Sequence, residues 1–315
     1  MKVLNRQDTL ALLPWSRVVT ALAHTLVERQ TGNISCPLRT RIDIAGGVLL
    51  TMPASNRTTA VVKTVTVHKG NSASSLKDNL KVVQAELLVM DATNGKRLLL
   101  LDGDAVTERR TAALSVLAWQ RIRGTSDTDW PHANHLLCIG AGVQARAHVD
   151  AFLGLTGLDS ITIATRTSTR TAKNAQDLAN YCRQNGIHTH VLEIDQLNKS
   201  ISMAQFDVIV TATTATEPLL NRLPSGPTVI MAVGAYTSKM AEIAPGIVMQ
   251  LPIVVDTLQG CQTEAGDLVQ AGVNFAQVHE LETIGYGQYI STQSVLFKSV
   301  GSAVWDLAAA QCALG

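Results

Sequence analysis

The stretch from His135 to Arg146 limits what this chain can fold into more than any other. A short apolar run, Leu136–Ile139, ends in Gly140-Ala141-Gly142-Val143-Gln144-Ala145, and helical spacing follows through Val143–Leu155. GxGxxA between a buried strand and a helix is a dinucleotide-binding fingerprint. Gly140 makes the tight turn, Gly142 lets the backbone approach a pyrophosphate, and Ala145 is small enough for the helix to pack against the sheet. The first helical turn, at Val143, Gln144 and Ala145, presents unpaired N–H groups and a partial positive charge to phosphate. Downstream, the apolar runs Ile161–Ala164, Val191–Ile194, Asp207–Thr211, Val229–Val233 and Ile253–Asp256 are interleaved with helical stretches such as Ala172–Gln184. Strands alternating with helices predict βαβ units and a parallel sheet covered on both faces.

The strand after the fingerprint bears on which dinucleotide is bound. An NAD site usually ends that strand in Asp or Glu, which holds the ribose 2′-hydroxyl. Here Ile161–Ala164 runs into Thr165-Arg166-Thr167-Ser168-Thr169-Arg170, with no carboxylate. Arg166 and the hydroxyl of Thr167 suit a 2′-phosphate, because arginine forms paired charge-assisted hydrogen bonds with phosphate. NADPH is therefore the expected cofactor, with NADH a weaker one. Thr211-Ala212-Thr213 and Val233-Gly234-Ala235 end two later strands and are expected to line the nicotinamide half of the cleft.

The N-terminal third has a different texture. After a helical start broken at Pro14, the runs Arg39–Ile44, Val48–Met52, Ala60–Val67, Leu80–Met90 and Lys96–Leu101 are separated by turn residues, Asn94-Gly95 most clearly. They predict a mainly antiparallel sheet, followed by a helix over Ala105–Arg123. The polar stretch Gly124–Asn134 reads as a junction, and Ser294–Leu314 as an amphipathic helical tail. The expected fold class is thus α/β, a Rossmann domain joined to an α+β domain. A net charge of +1 with 4% aromatic residues argues against a nucleic-acid partner. No apolar run is long enough for a membrane span, and the N-terminus lacks the apolar segment of a signal peptide. Five scattered cysteines without a CxxC pair, and eight histidines without metal spacing, predict reduced thiols, no metal centre and a cytoplasmic location.

Lys63 falls on the same pleat face as Val61, Val65 and Val67. Such a lysine either snorkels to the sheet edge or meets an anion, because an unpaired buried charge is costly. Arg39, Arg41 and the Arg109-Arg110 pair each read alone as surface charges.

Taken together, Pro37-Leu38-Arg39, Met52-Pro53, Lys63, Thr107–Ala113, Ile139–Ala145, Thr211-Ala212-Thr213, Ala232–Ala235, Glu264-Ala265-Gly266-Asp267 and Phe297-Lys298-Ser299-Val300-Gly301 give the chain a resemblance. It resembles the ornithine cyclodeaminase/μ-crystallin family along essentially its whole length. The resemblance implies a substrate-binding and dimerisation domain (residues 1–112, with 294–315 folding back onto it), a Rossmann domain over 113–293, and a homodimer. By position it implies a substrate-carboxylate clamp at Arg39, Lys63 and Arg110, with Lys63 as the catalytic candidate. It adds Val300 on the substrate side, and Arg110 and Ser299 beside the cofactor. Arg109 and Arg41 stay surface charges in this reading.

One position departs from the pattern. The cyclodeaminases and related alanine dehydrogenases carry an acid/base aspartate directly after the Val-Gly-Gly/Ala turn, where this chain has Tyr236. A phenol that titrates near 10 is a poor base at neutral pH. Members without the aspartate resemble ketimine reductases. The expectation is NADPH-dependent reduction of a cyclic imino acid, Δ1-pyrroline-2-carboxylate to L-proline, and also Δ1-piperideine-2-carboxylate to L-pipecolate. The alternatives are an alanine-type dehydrogenase that aminates a keto acid, and a μ-crystallin-like NADPH-dependent ligand carrier without turnover.

Overall fold

The computed structural model describes residues 1–72, 80–166, 168–289 and 293–315. The chain forms two compact units, Met1–Leu114 with Ser302–Gly315, and Ser115–Gly301.

The first unit opens with β1 (Lys2–Val3), α1 (Arg6–Leu12) and α2 (Trp15–Gln30). Asn5 caps α1 by accepting from the Asp8 N–H, and Pro14 occupies the N-cap of α2, where its missing N–H costs nothing. Strands β2 (Thr40–Ile44), β3 (Gly47–Ser55), β4 (Thr59–Val67), β5 (Val83–Asp91) and β6 (Arg97–Asp102) follow, then α3 (Gly103–Arg123). The six strands lie in the order β1-β6-β5-β4-β3-β2, antiparallel except for β1 on β6. Thr59, Val61 and Lys63 of β4 alternate inward, which places a lysine in an otherwise apolar layer.

The second unit contains β7 (His135–Ile139), α4 (Val143–Thr156), β8 (Ser160–Thr165), α5 (Thr169–Gln184), β9 (His188–Glu193), α6 (Ile194–Ser200), β10 (Val208–Thr211) and β11 (Val229–Ala232). It continues with α7 (Pro245–Val248), β12 (Ile253–Val255), α8 (Leu258–Glu264), α9 (Gly266–Ala271), β13 (His279–Glu280) and β14 (Val295–Lys298). The eight strands are all parallel, in the order β13-β12-β14-β11-β10-β7-β8-β9. Strands β10, β11 and β14 are buried throughout, as expected for a parallel sheet covered on both faces. From β7 the chain winds outward to β9, then returns to place β10 on the other side of β7. That reversal is the switch point at which such sheets bind ligands. The chain closes with α10 (Ala303–Leu314), which packs on α2, β3 and β4 of the first unit.

Two expectations need correcting. Residues 294–301 do not join the tail helix; Val295–Lys298 is a strand between β11 and β12, and the chain re-enters the first unit only at Ser302. So short a segment, three apolar residues and a lysine, cannot be told from a buried helix segment by periodicity, and here its place in the sheet decides it. The polar stretch at 124–134 is not the junction either. The division between the units falls inside α3, between Leu114 and Ser115.

Candidate active site

In the second unit a cleft of about 190 Å3 lies at the carboxyl ends of β7, β8 and β10. Its lining includes Gly140, Ala141, Gly142, Arg166, Thr171 and Thr213, and among the described residues no carboxylate. Gly140 has φ +115°, and a Cβ there would come within 2.6 Å of the Ala212 carbonyl oxygen. Only glycine lets the loop after β7 lie this close to the loop after β10. Gly142, by contrast, faces open space and is the N-cap of α4 without any side-chain cap. The N–H groups of a 14-residue helix therefore point out of its first turn. A bare glycine face, an uncapped helix and an arginine in a carboxylate-free cleft fit a dinucleotide. Arg166 is exposed on the lining and its carbonyl accepts from Thr171 Oγ1 at 2.6 Å. Thr167 lies outside the described residues.

Behind this cleft is a buried web of charge that sequence reading did not assign. Glu242, fully buried, accepts from Thr211 Oγ1 (2.9 Å), Thr213 N (2.7 Å), Thr213 Oγ1 (2.8 Å), Gly234 N (2.8 Å) and Ala235 N (3.1 Å). One carboxylate thus ties the loop after β10 to the loop after β11. Asp267 accepts from Glu242 N at 2.6 Å and from Lys298 Nζ at 2.8 Å. Burial raises the Glu242 carboxyl above its usual value; Lys298 opposes the shift and Asp267 adds to it. Ser299 donates to Asp256 at 2.8 Å, and Val300, nearly buried, lies beside Gly260. Both belong to the second unit.

The first unit gathers the expected cations. Lys63, 2% exposed, places Nζ 2.7 Å from Asp306 Oδ2, 2.9 Å from its Oδ1 and 3.3 Å from Thr107 Oγ1. Arg110, 5% exposed, directs Nε to the same Asp306 Oδ1 at 3.3 Å. Arg39, half-buried in the segment before β2, lies close enough to act on Lys63. Burial, with Arg110 and Arg39 adding to it and Asp306 opposing, pushes the Lys63 ammonium down to about 8.

Arg39, Lys63 and Arg110 are therefore brought together, and Lys63 does not snorkel. Val300 and Ser299 fall in the other unit. Arg41 is exposed and pairs with Asp43 at 2.7 Å. Arg109 is not the solvated charge expected: it is half-buried, its guanidinium 4.0 Å from the ring of Trp15. An aromatic face on α2 offers a cation–π contact that charge spacing alone cannot anticipate. Tyr236 is 44% exposed after the β11 turn.

A parallel sheet with a glycine-lined switch point and an uncapped helix defines a Rossmann-type dinucleotide-binding protein, here with a second, antiparallel-sheet unit. The family model described as ornithine cyclodeaminase/mu-crystallin family matches residues 2–313, and the chain belongs to that family. A Δ1-pyrroline-2-carboxylate reductase of Burkholderia multivorans is 34% identical over 312 residues, covering 99% of this chain and 94% of the relative. A Δ1-pyrroline-2-carboxylate/Δ1-piperideine-2-carboxylate reductase of Azospirillum brasilense is 35% identical over 315 residues, with the same coverage. Among solved structures, the Δ1-pyrroline-2-carboxylate reductase of Thermococcus litoralis in complex with NADH and L-proline superposes with a TM-score of 0.84 at 26% identity. It covers 99% of this chain and 96% of that one.

Proposed function

We propose that this protein is an NADPH-dependent reductase of cyclic ketimine carboxylates, converting Δ1-pyrroline-2-carboxylate to L-proline and Δ1-piperideine-2-carboxylate to L-pipecolate. The observation that carries the reading is the buried pairing of Lys63 and Arg110 on Asp306, with half-buried Arg39 close enough to act on Lys63. The names of the similar reductases and the Rossmann cleft support it. When bound, a reduced nicotinamide supplies a hydride. The chain's own residues do the rest. Arg39 and Arg110 hold the substrate carboxylate through charge-assisted hydrogen bonds, each contributing roughly 1.5–3 kcal/mol. That grip fixes which face of C2 is presented and removes rotational freedom before the chemical step.

A protonated imine is already an electrophile, so no aspartate is required where Tyr236 stands. Lys63 Nζ, titrating at about 8, holds a proton at neutral pH and can release it to the imine nitrogen. Arg166 and the hydroxyls beside it favour the 2′-phosphate of NADPH over NADH. The family likeness also carries a homodimer. Strand β2, all five residues exposed, is the edge of the six-stranded sheet open to a second copy.

The test is NADPH oxidation with freshly prepared Δ1-pyrroline-2-carboxylate in the absence of ammonia, beside pyruvate with ammonia. Rapid oxidation with the imine alone is expected. Turnover only with pyruvate and ammonia would replace the reading with an amino-acid dehydrogenase. Tight NADPH binding without turnover on either would replace it with a ligand carrier.

A further inference from the structure

We infer that Asp306 is a positioning residue that keeps Lys63 protonated, and aimed, in the working pH range. Its position on α10 makes the C-terminal segment part of the substrate site. Both Asp306 oxygens lie within 2.9 Å of Lys63 Nζ, and Oδ1 is shared with Arg110 Nε at 3.3 Å. One carboxylate therefore sets the spacing of two clamp cations that come from different elements, β4 and α3. Asp306 is fully buried in the first turn of α10, flanked by Ala303, Val304, Trp305 and Leu307, where an ionised side chain persists only if it is paired.

The groups facing Lys63 are few. From α10 there is Asp306, from α3 Arg110, and from the segment before β2 Arg39. Across the sheet its partners are Met52 on β3 and Leu87 on β5, neither of which titrates. Burial and the two guanidinium groups all drive the ammonium towards its neutral amine. Asp306 is the one neighbour among these that opposes them, by charge and by hydrogen bond. Without it, Lys63 would titrate lower still and pass more readily to its neutral amine. It would then offer the imine nitrogen no proton and the carboxylate no cation.

For its kinetic arm this inference rests on the imine-reductase reading, so the experiment has a second arm that needs no substrate. In the first arm, kcat/KM for Δ1-pyrroline-2-carboxylate is followed against pH in the full-length protein and in Asp306→Asn. The expected result is that the alkaline fall moves down by about one pH unit or more, with most activity recovered at acid pH. NADPH affinity, read by fluorescence, should change less than about twofold. A uniform loss at every pH, with the alkaline fall unmoved, would overturn the inference, because a merely structural role predicts that outcome.

In the second arm, protein labelled at lysine Cε is titrated by NMR, with Lys63→Met assigning the signal. A downward shift of the Lys63 titration in Asp306→Asn supports the inference even if the wild-type protein proves inert towards the imine. An unmoved titration overturns it. Should Asp306→Asn fail to fold, Asp306→Ser decides by the same titration: with the carboxylate gone the Lys63 signal must again move down, and an unmoved signal would overturn the inference.

Discussion

Thr213 donates to Glu242 twice, through its backbone N–H at 2.7 Å and through Oγ1 at 2.8 Å. The other oxygen of the same carboxylate takes Thr211 Oγ1 and the N–H groups of Gly234 and Ala235. The two loops expected to border the nicotinamide are thus held together by one fully buried carboxylate. Gly234 is required there because a Cβ would overlap both Thr213 and the Glu242 carboxylate.

Glu242→Gln should therefore weaken dinucleotide binding without removing any group from the cleft. The amide nitrogen would confront N–H donors, and hydrogen bonds to a charged acceptor contribute roughly 1.5–3 kcal/mol each. A loss of about 2 kcal/mol corresponds to a fall in Tm of about 4–8 °C for a unit of this size. The dissociation constant for NADPH should rise about tenfold. Fluorescence titration beside a thermal melt checks both, and unchanged affinity in a destabilised protein would confine Glu242 to folding.

The two glycines of the phosphate loop should behave differently. Gly140→Ala puts a methyl group against the Ala212 carbonyl at a positive φ, so it should destabilise the second unit by about 1–3 kcal/mol. Gly142→Ala meets open space and an ordinary φ of −85°, so the melt should hardly move. That methyl group would instead stand where a pyrophosphate must come close. A Gly142→Ala protein that both melts and binds NADPH like wild type would show that the diphosphate lies elsewhere.

Arg166 is the determinant proposed for the 2′-phosphate. Arg166→Asp should lower the NADPH to NADH ratio of kcat/KM by about tenfold or more, since one charge-assisted contact is lost and a repulsion introduced. An unchanged ratio would mean that the guanidinium only faces solvent.

Arg39→Ala tests the clamp in the other unit. The Michaelis constant for the imine should rise by about tenfold or more, while NADPH binding stays within about twofold. Equal weakening of both would argue against a carboxylate contact at Arg39.

Much of this was legible before the structure. The fingerprint at Gly140–Ala145 located the parallel sheet because strand, tight turn and helix each leave a local mark. Lys63 stood out because a charge on an apolar pleat face breaks the alternation around it. The same reasoning applied to α10 would have found Asp306, a carboxylate within Ala303–Ala310, but two unpaired oddities in one sequence do not show that they are partners. Glu242, Asp267 and Lys298 were less accessible still. They lie in short segments without strong periodicity, and their pairing depends on which loops the sheet order brings together. The strand Val295–Lys298 is hidden for the same reason, since three apolar residues and a lysine carry no period and only its neighbours β11 and β12 determine its state.

The depressed Lys63 ammonium leaves a signature in stability as well as in catalysis. Below pH 8 the lysine is charged in both the folded and unfolded states, and above 10.5 it is neutral in both. Between those limits the unfolded chain keeps a proton that the folded protein has released, so this residue makes stability rise with pH across that window. Burial is the main cause, and the usual gain from an ion pair is outweighed. Urea unfolding of wild type and Lys63→Met from neutral pH to about 10.5 isolates the term, because other titrating groups contribute to both proteins. The wild-type stability relative to the variant should climb through the window. A flat difference would show that Asp306 fully offsets the desolvation of Lys63, and a falling one that it more than offsets it.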